Sequence, residues 1–170
     1  MADNLNKQEA YRFYTTYIVN SSKQALLTRY NFPIVGSVPS VDWELFAAIL
    51  TGQKKKAGSG ADLRGFEVKS AIAGNSFEYQ YHLNSGVGKL NEDKNISHLF
   101  ITYSRDYRDV EVLLASPGKL SNTFEKWRPG LEKNYAGSSP KQRYRKSISS
   151  GKVYQVGEAV MQIKNTALTV

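Results

Sequence analysis

Two strongly apolar stretches, residues 98–103 (HLFITY) and 110–115 (VEVLLA), constrain this chain most. Both are rich in Ile, Val, Phe and Leu, and a charged turn at 105–109 joins them, so they read as strands that follow one another in a sheet. Residues 7–30 lack Pro and Gly and space Tyr11, Tyr14, Ile18 and Leu26 in a loosely helical way, predicting one or two helices that Asn31-Phe32-Pro33 ends. Ser40 is placed to cap a short, mostly buried helix over 41–51, with Asp42 and Glu44 in its first turn and Gly52 at its end. Two strands flank Arg64-Gly65, a polar segment runs to Asn84, and a loop follows to Asn95. Pro117-Gly118 leads into a helix near 120–127 that stops before Pro129. A basic loop and a terminal strand pair at 152–156 and 159–163 complete one α/β unit.

The length, 170 residues, fits one domain, and 41% hydrophobic residues suffice to bury a core. No window approaches the ~20 consecutive apolar residues of a membrane span. Met1-Ala2-Asp3-Asn4 carries no basic region leading into an apolar one, so a secretory signal is not expected. With no cysteine, disulfides, thiol catalysis and thiolate zinc sites are excluded. His82 and His98 are too few and too far apart for a histidine cage, which leaves oxygen ligands for any metal.

Charge is distributed unevenly. Residues 1–117 hold 13 Lys+Arg against 12 Asp+Glu, whereas residues 118–170 hold 10 against 3. Arg128, Lys133, Lys141, Arg143, Arg145 and Lys146, with Tyr135 and Tyr144 interleaved, suit a phosphate backbone, although charge alone fits a solvated basic face equally well.

The chemistry concentrates in residues 60–70, GADLRGFEVKS. A two-residue turn at Arg64-Gly65 pairs Leu63 with Phe66 and sets Asp62 opposite Glu67. Cβ atoms of such a pair lie about 5 Å apart, close enough for both carboxylates to hold one hard cation. The strand period of two puts Lys69 on the face of Glu67, with Phe66 and Val68 turned into the core. Taken singly, an acid on a hairpin reads as solvated surface and a Glu-x-Lys as a weak ion pair. Together they make a compact cluster of two acids and one amine.

Asp62 followed by Glu67-Val68-Lys69 resembles the signature of the PD-(D/E)xK nuclease superfamily, and the chain from about Trp43 to Tyr154 is similar to its PvuII-like type II restriction endonucleases. Leu50-Thr51-Gly52 resembles their Ile-Thr-Gly, Phe66-Glu67-Val68-Lys69-Ser70 their Tyr-Glu-Leu-Lys-Ser, and His82-Leu83-Asn84 a His-Met-Asn in the DNA-reading segment. Phe77 matches a Phe there, Phe124-Glu125-Lys126-Trp127 a Tyr-Asp-Lys-Trp, and Ser138-Ser139-Pro140-Lys141 an Asn-Asn-Pro-Lys.

The resemblance implies a restriction-endonuclease-like core, with a mixed central β-sheet flanked by helices. Residues 1–40 would be a helical dimerisation region, and 41–170 would carry catalysis and DNA recognition. It implies a prokaryotic cytoplasmic homodimer that cuts both strands of palindromic double-stranded DNA and leaves 5′-phosphate ends, paired with a methyltransferase that protects the host. Asp62, Glu67 and the Val68 carbonyl would ligate Mg²⁺, for which Mn²⁺ substitutes, and Lys69 would stand beside the attacking water. Glu44 is either an outer acid or a first-turn helix carboxylate.

Base reading is expected from Ser76, Glu78, Gln80, Tyr81, His82, Asn84, Ser138 and Ser139, with Lys141, Arg143 and Arg145 on phosphates; alternation turns Glu78, Gln80 and His82 one way. The sequence departs from those enzymes where Gln80-Tyr81-His82 replaces three histidines and Ser138-Ser139 replaces two asparagines, so a different target is expected. The Asp62 to Glu67 interval is also shorter. Lys54, Lys55 and Lys56 read as phosphate contacts or as a solvated loop, and Tyr11, Tyr14, Tyr17 and Ile18 as dimer surface or core. A structure-specific repair nuclease or resolvase, and a non-catalytic DNA-binding module, are the alternative functions. The first would prefer DNA shape over sequence; the second would bind without metal.

Overall fold

The computed structural model describes residues 4–58, 60–136 and 138–170; residues 1–3, Ser59 and Gly137 lie outside them. Helix α1 (Lys7–Phe13) runs through a π-helical turn (Tyr14–Ile18) to α2 (Ser21–Arg29), and Asn31 breaks the helical path with φ 58°. Helix α3 (Ser40–Thr51) places Trp43, Phe46, Ala47 and Leu50 on one buried face, the i, i+3, i+4, i+7 pattern of an amphipathic helix. Its cap is Pro39 rather than Ser40, which is the first helical residue and makes no capping hydrogen bond.

Strands β1 (Phe66–Ile72), β3 (Ser97–Tyr103), β4 (Val110–Ala115), β6 (Glu158–Lys164) and β7 (Ala167–Leu168) form a mixed sheet in the order β1-β3-β4-β6-β7. β1 and β3 are parallel, and every other neighbouring pair is antiparallel. Between β1 and β3 the chain makes β2 (Phe77–His82) and α4 (Gly86–Asp93). After β4 come α5 (Ser121–Tyr135), β5 (Arg143–Ile148) and α6 (Ser150–Val156), and β5 pairs with β2 in a separate two-stranded ribbon.

The fold is therefore α/β with a mixed five-stranded sheet flanked by helices, and further local expectations are corrected. The segment before Asn95 contains helix α4 despite Gly86 and Gly88. α5 continues through Pro129 to Tyr135, because burial of Phe124, Trp127 and Leu131 outweighs the one backbone hydrogen bond that proline forfeits. The basic stretch after it becomes strand β5. Residues 150–156 are helical, with Ser149 accepting the Lys152 N–H as an N-cap.

Alternate residues of the central strands feed two cores. Leu99, Ile101, Val112 and Leu114 face α1, the π-helical turn and α3, whereas Phe100 and Leu113 face α5 and the inner side of the ribbon. Trp43 stacks on Tyr103 with centroids 4.9 Å apart, and Phe77 meets Phe100 edge-on, also at 4.9 Å. Tyr14 and Ile18 belong to the first core, while Tyr17 is exposed. No helix among the described residues is long and apolar enough to cross a membrane.

Phe100 sits at the centre of the second core with no solvent exposure. Phe100→Ala is expected to cost about 3–5 kcal/mol, read from the urea midpoint at constant slope. A loss below about 1 kcal/mol would contradict the packing described.

Candidate active site

The bend at Arg64-Gly65 is the predicted two-residue turn. Leu63 N–H donates to Phe66 O at 3.0 Å and Phe66 N–H to Leu63 O at 3.2 Å, with Gly65 at φ 80°, where a side chain would be strained. Two expectations are corrected there: no strand precedes the turn, where Leu63 makes only isolated bridges to Lys55 and Phe66, and the ladder stops before Asp62 could pair with Glu67. Beyond it Asp62 is fixed by its side chain: Oδ2 accepts the Val68 N–H at 2.9 Å, while its carbonyl accepts Lys56 N–H at 3.1 Å. Gly60 precedes it at φ 125°, where a Cβ would collide with the Glu92 carboxylate.

Glu67 and Lys69 share one face of β1, as the period of two requires, and Val68 packs in the core on the other. Glu67 is only 1% exposed, yet it carries two ammonium groups: Lys69 Nζ lies 2.6 Å from Oε1 and Lys89 Nζ 2.8 Å from Oε2. Oε2 nonetheless has no hydrogen bond of regular geometry. Burial opposes the Glu67 charge, but the two lysines overcome it and hold the carboxyl below its usual range. Asp62 moves the opposite way: burial first, and the neighbouring Glu67 charge second, raise it, with Lys69 and the Val68 N–H offsetting part. The Glu44 charge adds slightly to that rise, and Glu44 itself pairs with Lys55 at 3.4 Å. The corner thus unites Asp62, Glu67 and Lys69, with Glu44 within electrostatic range.

Sequence reasoning missed the contribution of α4. Lys89 pairs with Asp93 Oδ1 at 3.3 Å, and Asp93 Oδ2 accepts the Tyr81 hydroxyl at 2.9 Å. Glu92 accepts the Ala61 N–H at 3.1 Å and pairs with Lys56, tying α4 to the loop that carries Asp62. The triple lysine is thereby reassigned in part, since Lys55 and Lys56 are both engaged by carboxylates. The available signal was the four-residue spacing of Lys89 and Asp93.

His98 is structural. Its Nε2 lies 2.7 Å from the Asp93 carbonyl, which only accepts, so Nε2 carries the proton and Nδ1 accepts the Tyr79 hydroxyl at 2.8 Å. Burial lowers its pKa from 6.5 to about 4.

The exposed face of the β2–β5 ribbon bears the other candidates. Gln80 pairs with Arg145 and His82 with Arg143, so these four and Glu78 project on one side. Glu78 accepts from Gln80 Nε2 at 2.6 Å and lies 4.0 Å from Arg145. Tyr81 is corrected: it faces inward, is fully buried beside Trp127, and cannot touch DNA from there. Ser76, Ser138, Ser139 and Lys141 are exposed in loops, and Asn84 lines a cleft of about 430 Å³ with Gly60, Lys89 and Glu92.

Two carboxylates suit a hard cation such as Mg²⁺, which keeps several waters and takes one or two protein carboxylates together with substrate phosphate oxygens. Among the described residues no third His, Cys, Asp or Glu joins them to make a larger metal-holding group. The fit to Mg²⁺ rests on this donor chemistry, two carboxylates brought to one largely buried corner. No protein-family model matches the chain, and no curated protein matches it.

Nuclear magnetic resonance titration is expected to show His98 as the Nε2–H tautomer, neutral down to about pH 4. Because its folded pKa is depressed, the stability it contributes is present above 6.5 and is lost as pH falls from 6.5 to about 4. A midpoint near the ordinary value would contradict the burial of this ring.

Proposed function

We propose that the protein is a type II restriction endonuclease, a Mg²⁺-dependent enzyme that hydrolyses phosphodiester bonds at a short palindromic site. The observation that carries this reading is the meeting of Asp62, Glu67 and Lys69 at one corner of the mixed sheet, beside an exposed ribbon of Gln80, His82, Arg143 and Arg145.

Asp62 and Glu67 would hold the metal, with the Val68 carbonyl as the third protein oxygen. Bound Mg²⁺ supplies charge neutralisation at the scissile phosphate and a more acidic water. The chain's own residues do the rest. Lys69, partly exposed and 2.6 Å from Glu67, is placed to hold the attacking water and to stabilise negative charge on the phosphorus oxygens. Its Nζ lies 4.9 Å above the Tyr79 ring, which restricts where the ammonium can move. As the water oxygen bonds to phosphorus and gives up a proton to solvent, the bond to O3′ breaks and O3′ takes a proton from solvent, leaving a 5′-phosphate and a 3′-hydroxyl. No histidine base is needed: His82 lies on the outer face of the ribbon, and the buried His98 bonds to Tyr79 and the Asp93 carbonyl.

The ribbon supports sequence reading over shape reading. It offers Glu78, an acceptor, beside Gln80 and His82, which donate and accept, whereas phosphate contacts call for donors and have no use for an acidic acceptor. A palindromic target calls for a homodimer, each copy cutting one strand, and a cell holding such an enzyme needs a methyltransferase of the same specificity.

Incubation with a long mixed-sequence duplex and Mg²⁺, followed by sequencing of the ends, is expected to give discrete fragments from one short palindrome. Cuts scattered by DNA shape would favour a repair nuclease or resolvase, and intact DNA at saturating protein would reject catalysis. Asp62→Asn and Lys69→Met are each expected to lower the cleavage rate at least about 100-fold while leaving sequence-specific binding measurable. Full nicking by either variant would remove that residue from the mechanism. Replacing Arg143 and Arg145 together by Ala is expected to weaken binding to all sequences alike and to reduce the salt slope by about 2. An unchanged slope would take both off the phosphates.

A further inference from the structure

The two ammonium groups on Glu67 are held differently. Lys69 has Oε1 at 2.6 Å and the Tyr79 ring, on a side chain that is 19% exposed. Lys89 has Oε2 at 2.8 Å, Asp93 Oδ1 at 3.3 Å and the Gly60 carbonyl at 3.4 Å. Its two carboxylate partners are almost wholly buried. Asp93 is locked in turn: Oδ2 takes the Tyr81 hydroxyl at 2.9 Å, and its carbonyl takes the His98 Nε2–H at 2.7 Å. A cation can therefore reach Glu67 only by exchanging with one lysine, and the anchored one is Lys89.

We infer that Lys89 is a positioning residue of the nuclease centre: held by Asp93, which the Tyr81 hydroxyl fixes, it keeps Glu67 Oε2 paired so that Oε1 is the oxygen released to the metal when Lys69 swings away. This rests on the nuclease reading above. It gives the reading ribbon a second role, because Tyr81 lies between Gln80 and His82 on β2 and points inward, toward the active site.

The test is Mn²⁺ binding to the full chain without DNA, followed by electron paramagnetic resonance, with thermal melts on the same samples. Lys69→Met is expected to bind Mn²⁺ more tightly than the unaltered protein, because it removes the exchangeable competitor. Lys89→Met and Tyr81→Phe are expected to bind it about 10-fold or more weakly. Tyr81→Phe changes no charge and keeps the ring, so it decides the matter if Lys89→Met does not fold. Its cleavage in Mg²⁺ is expected to lose kcat with KM for DNA unchanged. If Lys89→Met binds Mn²⁺ as tightly as the unaltered protein or more so, Lys89 is only a competing counter-ion and the inference is overturned. A lower melting temperature for Tyr81→Phe at unchanged Mn²⁺ affinity overturns it too. Absence of Mn²⁺ binding by the unaltered protein would reject the metal-dependent reading itself, whereas equal affinities across all variants reject only the role given to Lys89.

Discussion

A carboxylate taken almost wholly out of water organises this protein's candidate site. Glu67 stays charged because Lys69 and Lys89 stand against its two oxygens, and each of those lysines recruits a different part of the chain. Lys69 comes from the same strand, two residues on. Lys89 comes from α4, which must dock against both the Asp62 loop and the inner side of β2 to deliver it. Removing one partner of a buried ion pair costs about 3–5 kcal/mol, so the position of α4 is tied to the charge on β1.

That coupling accounts for the polar character of a corner that lies between two apolar cores. Asp93, Tyr81, Tyr79 and His98 are all buried, and their hydroxyls, carboxylate oxygens and ring nitrogens are all paired. His98, kept neutral by burial, adds no charge beside Lys89 and Glu67, while burial raises the Asp93 carboxyl to about 6 and the Lys89 ammonium opposes that rise. The apolar cores on either side supply most of the stabilisation, and the polar corner fixes one arrangement.

The hairpin chemistry was legible because its determinants are local. A two-residue turn and an alternating strand are set by nearest neighbours, so Leu63 opposite Phe66, and Glu67 beside Lys69, follow from spacing alone. The apolar strands read at 98–103 and 110–115 were equally plain. What was hidden depends on tertiary contact. α4 opens with Gly86 and Gly88, poor helix formers, and is held by buried Leu90 and by the reach of Lys89 and Glu92 to other elements. α5 survives Pro129 through buried Trp127 and Leu131, and Val153-Tyr154 is strand-like in propensity yet helical behind its Ser149 cap. Tyr81 enters the DNA-contact set only through the likeness to a run of histidines; strict alternation in Phe77, Tyr79 and Tyr81 already turns it inward.

The ribbon of β2 and β5 stands apart from the main sheet and divides its residues cleanly between two environments. Phe77, Tyr79, Tyr81 and Ile148 fill the interior, while Glu78, Gln80, His82, Arg143 and Arg145 occupy none of it. Exchanges at the outer positions leave the packed volume unchanged, so this surface is free to diversify while the architecture beneath it stays fixed. A lineage carrying this scaffold can explore new surface chemistries at little risk to foldability.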